Sequence, residues 1–307
     1  IDAALLAVSP PNPEGRCSFG PTVDFLADLW PRIPLRIAHI NPCIPDCGEP
    51  TAVPLAELTH TFEAEEPLRE LADAPSDEVS STIATFCASL IPNNATVQTG
   101  LGKLPGAILR ALDGHSGIRI HSGLIGDPVL DLIERGVINS GHQVTAGVAI
   151  GTRRLYDALP ASGIRMRPVS VTHDPAVLST LDNLVTINSA MEVDLYGQAF
   201  AEAGPAGWNS GPGGASDFAR GALIAGGTRI IVLPARAGQA SRIVAPGAGR
   251  GPVSLSRSDI DIVVTEHGIA HLKGRSHDQR AAALIAIASP DHREHLARQW
   301  RDGPASF

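Results

Sequence analysis

The chain has 307 residues, 43% of them hydrophobic, with 24 Lys+Arg against 32 Asp+Glu for a net charge of -8. At roughly 100–200 residues per domain this is one large or two ordinary domains with a buried core, which excludes a disordered chain or a small stapled scaffold. A negative balance without any Lys/Arg-rich run argues against binding nucleic acid or an anionic membrane through charge alone, since both need a positive patch.

The opening run, IDAALLAVSP, has no basic n-region, no small-residue cleavage site and no initiator Met, so it reads as part of a fold that begins mid-element. No apolar run reaches the roughly 20 residues needed to cross a bilayer, and the expectation is a cytoplasmic protein. Strands are expected at AALLAVS, LRIAHIN, ATVQTG, GIRIHSG, QVTAGVAIG, IRMRPVSV, NLVTIN, TRIIVLP and DIDIVVTE, several of them apolar on both faces as buried parallel strands are. Helices are expected over 76–91, 104–113, 127–135, 215–225 and 279–300. Asp77 is a cap for the first, ahead of Val79, Ile83, Phe86, Cys87 and Leu90 at helical spacing. Asp127 caps the third, with Pro128 in its first turn and Gly136 closing it. The alternation predicts α/β layers around mainly parallel sheets. The acidic, proline-bearing stretch 63–77 marks the domain boundary, dividing the chain into 1–75 and 76–307. The closing DGPASF reads as a frayed end. Cys17, Cys43, Cys47 and Cys87 match neither a disulfide framework nor a zinc site and read as reduced thiols; no ligand spacing suggests a metal.

Four constellations are candidates for chemistry. In TVQTGLGKLPGAILRAL (96–112) a strand turns through Gly100 and Gly102 into a helix, where a ligand can approach the backbone and an anion can meet unpaired N–H groups. Pro105 replaces the third glycine of a dinucleotide fingerprint, and Leu104 follows Lys103 where a P-loop needs Ser or Thr. A tight turn with no ligand explains the same residues. In NSGPGGASDFARGA (209–222) the glycines precede a helix with Asp217 in its first turn, which suits an oxyanion hole or a flexible connector. GIRIHSGLIGD (117–127) ends a parallel strand, where open α/β sheets place ligands, and offers His121 and Asp127, although a lone His there is usually structural. In SVTHDPAVL, an N-cap at Asp174 with Pro175 at N1 accounts for His173 and Asp174 without chemistry. GxSxG and HExxH are absent.

Taken together in collinear order, VSPPNPEGRCSFG, TVQTGLGKLPGAIL, IHSGLIGDPVLDLIERGVI, TINSAMEVDLYGQAFAE, SGPGGASDFARGA, IIVLPARAGQASRIV, SDIDIVVTEHGIAHLKGRS and ALIAIASPDHREHL resemble the acetyl-CoA hydrolase/transferase family, which includes 4-hydroxybutyrate and succinyl:acetate CoA-transferases. The resemblance implies two related α/β domains with the active site between them. It matches residues 1–75 to the end of the N-terminal domain and 76–307 to the C-terminal domain, so a longer native chain is expected. It also implies a homo-oligomer, and coenzyme A as the substrate thioester, exchanged with a small carboxylate or water and without a metal. Gln98, Gly100, Leu101, Gly102, Lys103 and Leu104 would lie along CoA, Gly211, Gly213 and Gly214 would line the thioester carbonyl, and Arg236 would meet a CoA phosphate. The resembled transferases carry a nucleophilic glutamate directly after the IHS run, where this chain has Gly123, and an asparagine where it has His173. Glycine cannot form the acyl anhydride of a double displacement. Three readings follow: a CoA-thioester enzyme using His121, Asp127 or His173 on water, a silent CoA-binding protein, or a partner subunit.

Overall fold

The computed structural model describes residues 1–48, 51–204 and 206–303; residues 304–307 of the expected frayed end lie outside them. Residues 1–75 form a small parallel sheet of β1 (Ala3–Val8), β2 (Leu35–Ile40) and β3 (His60–Glu63), in that order. β1 alternates: Ala4, Leu6 and Val8 are buried, while Leu5 is 77% exposed. That period of two is the mark of a sheet covered on one face.

The larger sheet has eight strands: β4 (Thr96–Thr99), β5 (Arg119–Ile125), β6 (Val144–Ala149), β7 (Arg165–Met166), β8 (Leu184–Ser189), β9 (Thr228–Val232), β10 (Ile262–Thr265) and β11 (Gly268–His271). Their spatial order is β11-β10-β9-β8-β4-β5-β6-β7, parallel throughout except for β11. From β4 the chain builds outward through β5, β6 and β7; from β8 it builds outward on the other side. The seam between β4 and β8 is therefore the topological switch point, the place where connecting segments diverge to opposite faces and leave a crevice at the strands' carboxyl ends. Every residue of β6 is buried, as expected of a parallel strand covered on both faces.

The covering helices are α1 (Glu78–Ala88), α2 (Lys103–Arg110), α3 (Asp127–Glu134), α4 (Arg153–Ser162), α5 (Val169–Thr172), α6 (Pro175–Leu178), α7 (Ala215–Ile224), α8 (His277–Ile287) and α9 (Pro290–Asp302). Asp77 caps α1 by accepting from the Ser80 N–H, and Asp174 caps α6 by accepting from the Ala176 N–H. Three details differ from the sequence reading. The run IRMRPVSV is a two-residue edge strand followed by α5, because Pro168 has no N–H for the ladder and its fixed φ suits a helix entry. The expected helix 279–300 is two helices: Ala288 is extended and Pro290 restarts the chain, while Ser276 and Gln279 form a capping box ahead of α8. Gly126, not Asp127, holds the cap position of α3, and Asp127 is its first helical residue.

Ala4, Leu6 and Val8 of the small sheet share one apolar cluster with Ile120, Ile125 and Val144 of the large one. Backbone bonds tie the same seam: the Ala149 N–H donates to the Pro21 carbonyl, and the Val23 N–H to that of Gly147. All four cysteines are free. Among the described residues no helix is long and apolar enough to cross a membrane, and no group of His, Cys, Asp or Glu is arranged to hold a metal.

Across β9 and β10, Arg229 and Asp261 form a buried bidentate pair, Nη2–Oδ1 2.6 Å and Nε–Oδ2 2.9 Å, with side chains 6% and 5% exposed. Removing one member leaves the other charge buried and unpaired. Asp261→Ala should cost about 3–5 kcal/mol in urea unfolding. A cost below about 1 kcal/mol would show that the guanidinium finds other partners.

Candidate active site

A cavity of about 310 Å³ opens at the switch point. Its floor is the carboxyl ends of three adjacent strands: Gln98, Thr99 and Gly100 after β4, Ser122 and Gly123 on β5, and Asn188 on β8. Gln98 and Asn188 lock the seam by exchanging amide hydrogen bonds of 3.3 and 3.2 Å. Ser122 donates to the Thr99 carbonyl at 2.5 Å, joining β5 to β4 where the ladder has ended. The Thr99 hydroxyl is buried beside the cavity with no hydrogen-bond partner among the described residues.

The remaining wall comes from both ends of the chain. Residues 1–75 supply Asp24 and Phe25, the stretch through α5 supplies Val169 and His173, and the entry to α7 supplies Gly213, Gly214, Asp217 and Phe218. Asp24 has a left-handed backbone, φ 40°, unusual for a residue with a side chain. It is pinned in place: its N–H, like that of Val23, donates to the Gly147 carbonyl, and its own carbonyl accepts from the Val169 N–H.

His173 lies at the centre. Its Nδ1 is 2.8 Å from the Thr172 hydroxyl, which in turn lies 3.3 Å from the Pro168 carbonyl. With the hydroxyl donating to the Pro168 carbonyl it accepts from Nδ1–H, the tautomer that leaves the Nε2 lone pair available as a base. That edge of the ring is wedged between two glycines. A Cβ placed on Gly123 would lie 2.9 Å from Cε1 and 3.0 Å from Nε2, and one on Gly214 would lie 2.3 Å from both Cδ2 and Nε2. Phe218 closes the third side with ring centroids 4.7 Å apart. Burial pushes the His173 pKa below its ordinary value, while Asp217 and then Asp24 pull it back up. Burial raises the Asp24 carboxyl, which His173 partly offsets.

The residues singled out in the sequence are brought together unevenly. Gln98, Gly100, Gly123, His173, Gly213 and Gly214 line the cavity. His121 does not: it is buried beneath, with Nε2 3.1 Å from the Thr172 carbonyl, so it supports the turn that carries His173. Asp127 also stands outside, its carboxylate accepting from the N–H and hydroxyl of Thr152 at 2.9 and 2.8 Å and tying the start of α4. Leu101 and Gly102 line a small adjoining void under α3, Leu104 packs on the core, and Lys103 is paired with Asp77 at 3.0 Å. Hydrogen bonds from Ser80, and then Lys103, hold the Asp77 carboxyl well below the usual range. Gly211 does not line the cavity. Arg236 is on an exposed two-residue strand, 3.9 Å from Asp291, and is not part of the cavity either. Sequence reasoning missed Asp24, Thr99, Asn188 and Phe218. Asn188, at the end of a predicted strand, carried a positional signal; Asp24, in a turn with no motif, carried none.

The comparisons bear on this site. The model of the acetyl-CoA hydrolase/transferase C-terminal domain matches residues 151–300. The 4-hydroxybutyrate coenzyme A transferase of Clostridium kluyveri is 37% identical over 98% of this chain and 72% of its own length. The chain belongs to the acetyl-CoA hydrolase/transferase family. Among solved structures, the 4-hydroxybutyrate CoA-transferase of Porphyromonas gingivalis superimposes with a TM-score of 0.86 at 36% identity, covering 98% of this chain and 75% of that one. RipA from Yersinia pestis gives 0.91 at 31% identity, covering 98% and 70%. The expected α/β CoA-transferase-like fold is borne out. The family acts on CoA thioesters, and the glycine backbone after β4 and ahead of α7 is open. A Cβ on Gly100, Gly102, Gly211 or Gly213 would meet nothing within 4 Å, so the chain there is bare. At Gly102 and Gly213 the positive φ of 116° and 57° also favours glycine.

His121 and His173 both have lowered values in the folded chain. The unfolded chain therefore binds protons first, so stability is undiminished above the unfolded value of about 6.5 and is lost as pH falls through and below it. Urea midpoints should drop between pH 7 and 5, and His121→Gln with His173→Asn should flatten that drop. An unchanged slope in the double variant would place the acid sensitivity elsewhere.

Proposed function

We propose that this chain cleaves a short acyl-CoA thioester with water as the acceptor, His173 serving in place of the family glutamate. The observation that carries the reading is the wedge: the volume a side chain at position 123 would need holds the His173 imidazole. The two departures from the resembled transferases, Gly123 and His173, are then one change in two parts, since a glutamate there would collide with the ring.

The chemistry follows from the geometry. A water that donates its O–H to Nε2 is deprotonated as its oxygen attacks the thioester carbonyl. The first turn of α7 has no side-chain cap, and its start at Gly214 and Ala215 lines the cavity, so the N–H groups that a helix leaves unpaired at its N-terminus are available to the oxygen that gains charge. Collapse breaks the C–S bond, and the imidazolium returns its proton to the departing CoA thiolate, giving a carboxylic acid and free thiol. Burial supports a neutral base at rest, and Asp217 and Asp24 stabilise the cation once formed. His121 is a positioning residue here, and Asp127 has no part. The bare glycine backbone after β4 suits the CoA chain, with Lys103 reaching a phosphate if it leaves Asp77. Division at residue 75, assembly as a homo-oligomer and a cytoplasmic location are proposed with this reading, on the resemblance.

The test is CoA-thiol release from short acyl-CoAs with and without acetate. The unmodified protein should release thiol independently of acetate, and His173→Asn should lower kcat by about 10²–10⁴. Gly123→Glu alone should not confer acetate-dependent exchange, whereas Gly123→Glu with His173→Asn, which clears the space, should. No thiol release by the unmodified protein while CoA still binds would replace this reading with that of a silent CoA-binding protein.

A further inference from the structure

We infer that the acyl pocket selects an uncharged acyl group and turns away one bearing a second carboxylate, with Asp24 as the specificity-determining residue and Asp217 as its partner. The inference rests on the proposed thioester reading and adds the substrate class to it. Among the described residues that line the cavity there are two carboxylates, one imidazole and no Lys or Arg. A CoA ester of a dicarboxylic acid would bring its free carboxylate into this enclosure, against fixed charges of the same sign and with no cation to meet it. Such a like-charge contact in a partly dry site is heavily penalised.

The anion-friendly element of the cavity does not relieve this. The first turn of α7 offers N–H groups, but they lie at Gly214 and Ala215, the glycine-lined end where the thioester oxygen belongs. The wall beside Asp24 is otherwise apolar, formed by Phe25, Val148 and Val169. Neither Arg167 nor Lys103 lines the cavity: Arg167 donates to the Met166 carbonyl at 2.9 Å, and Lys103 pairs with Asp77. Nor can Asp24 swing aside with its loop, because its left-handed backbone is bonded on one side to Gly147 and on the other to Val169. A neutral acyl chain, with or without a hydroxyl for Asp24 to accept from, satisfies these walls.

Matched substrates test this on the whole chain: butyryl-CoA against succinyl-CoA, and propionyl-CoA against malonyl-CoA, assayed by thiol release. Binding of the corresponding non-hydrolysable CoA thioethers is measured in parallel. The uncharged member of each pair should be preferred by at least about tenfold in kcat/KM and in Kd, less so at high salt. Asp24→Asn should bring the ratio close to one, and Asp217→Asn should lower it partway. If neither substrate turns over but the thioethers are still discriminated, the catalytic reading fails and the selectivity stands. If both members of a pair turn over or bind alike, or if Asp24→Asn and Asp217→Asn both leave the ratio unchanged, the inference is overturned.

Discussion

The arrangement of the site depends on one steric fact: an imidazole occupies the gap between two backbones that carry no side chains. His173 can sit against β5 and the entry to α7 only because positions 123 and 214 are glycine. Everything else about the residue follows from that placement. Confinement removes water from the ring and favours its neutral form, the Thr172 hydroxyl is the hydrogen-bond partner of Nδ1, and Asp217 and Asp24 partly offset the desolvation. His121, on β5, hydrogen-bonds the carbonyl of Thr172 and so helps fix the turn from which the ring enters.

The sheet explains why this gap exists where it does. Chain connections leave β4 and β8 in opposite directions, so no crossover covers their ends, and the Gln98–Asn188 amide pair closes the seam just below the opening. The N-terminal segment is a working part of the wall: Thr22 bridges to Val148, and the next turns deliver Asp24 and Phe25 over the end of β6. One apolar cluster runs through both parts of the chain, so displacement of the segment carrying Asp24 would disturb the core as well as the site.

Much of the scaffold was legible from the chain alone, because buried parallel strands are apolar on both faces and helices announce their caps, as at Asp77 and Asp174. The errors fell where a proline interrupted an otherwise regular run: Pro168 turned half a strand into a helix, and Pro290 split one long helix in two. The site was legible in outline through its glycine loops. What stayed hidden was contact between distant segments. Nothing in the turn around Asp24 signals that it faces residues 149 positions further on, and nothing near Gly123 shows that the His173 ring lies against it. Asp127 illustrates the converse: a titratable residue at the right strand end, given over to holding Thr152.

The wedge also constrains how such a site changes by descent. Between a Gly123–His173 site and a Glu–Asn site there are two single-step intermediates. Glutamate with histidine forces two side chains into one volume, while glycine with asparagine merely leaves a hole. A hole in a solvated cleft is tolerated better than an overlap between two side chains in one volume. Were a Gly123–His173 site and a Glu–Asn site related by descent, the hollow intermediate would be the easier passage, with glutamate lost before histidine arrives and histidine lost before glutamate returns.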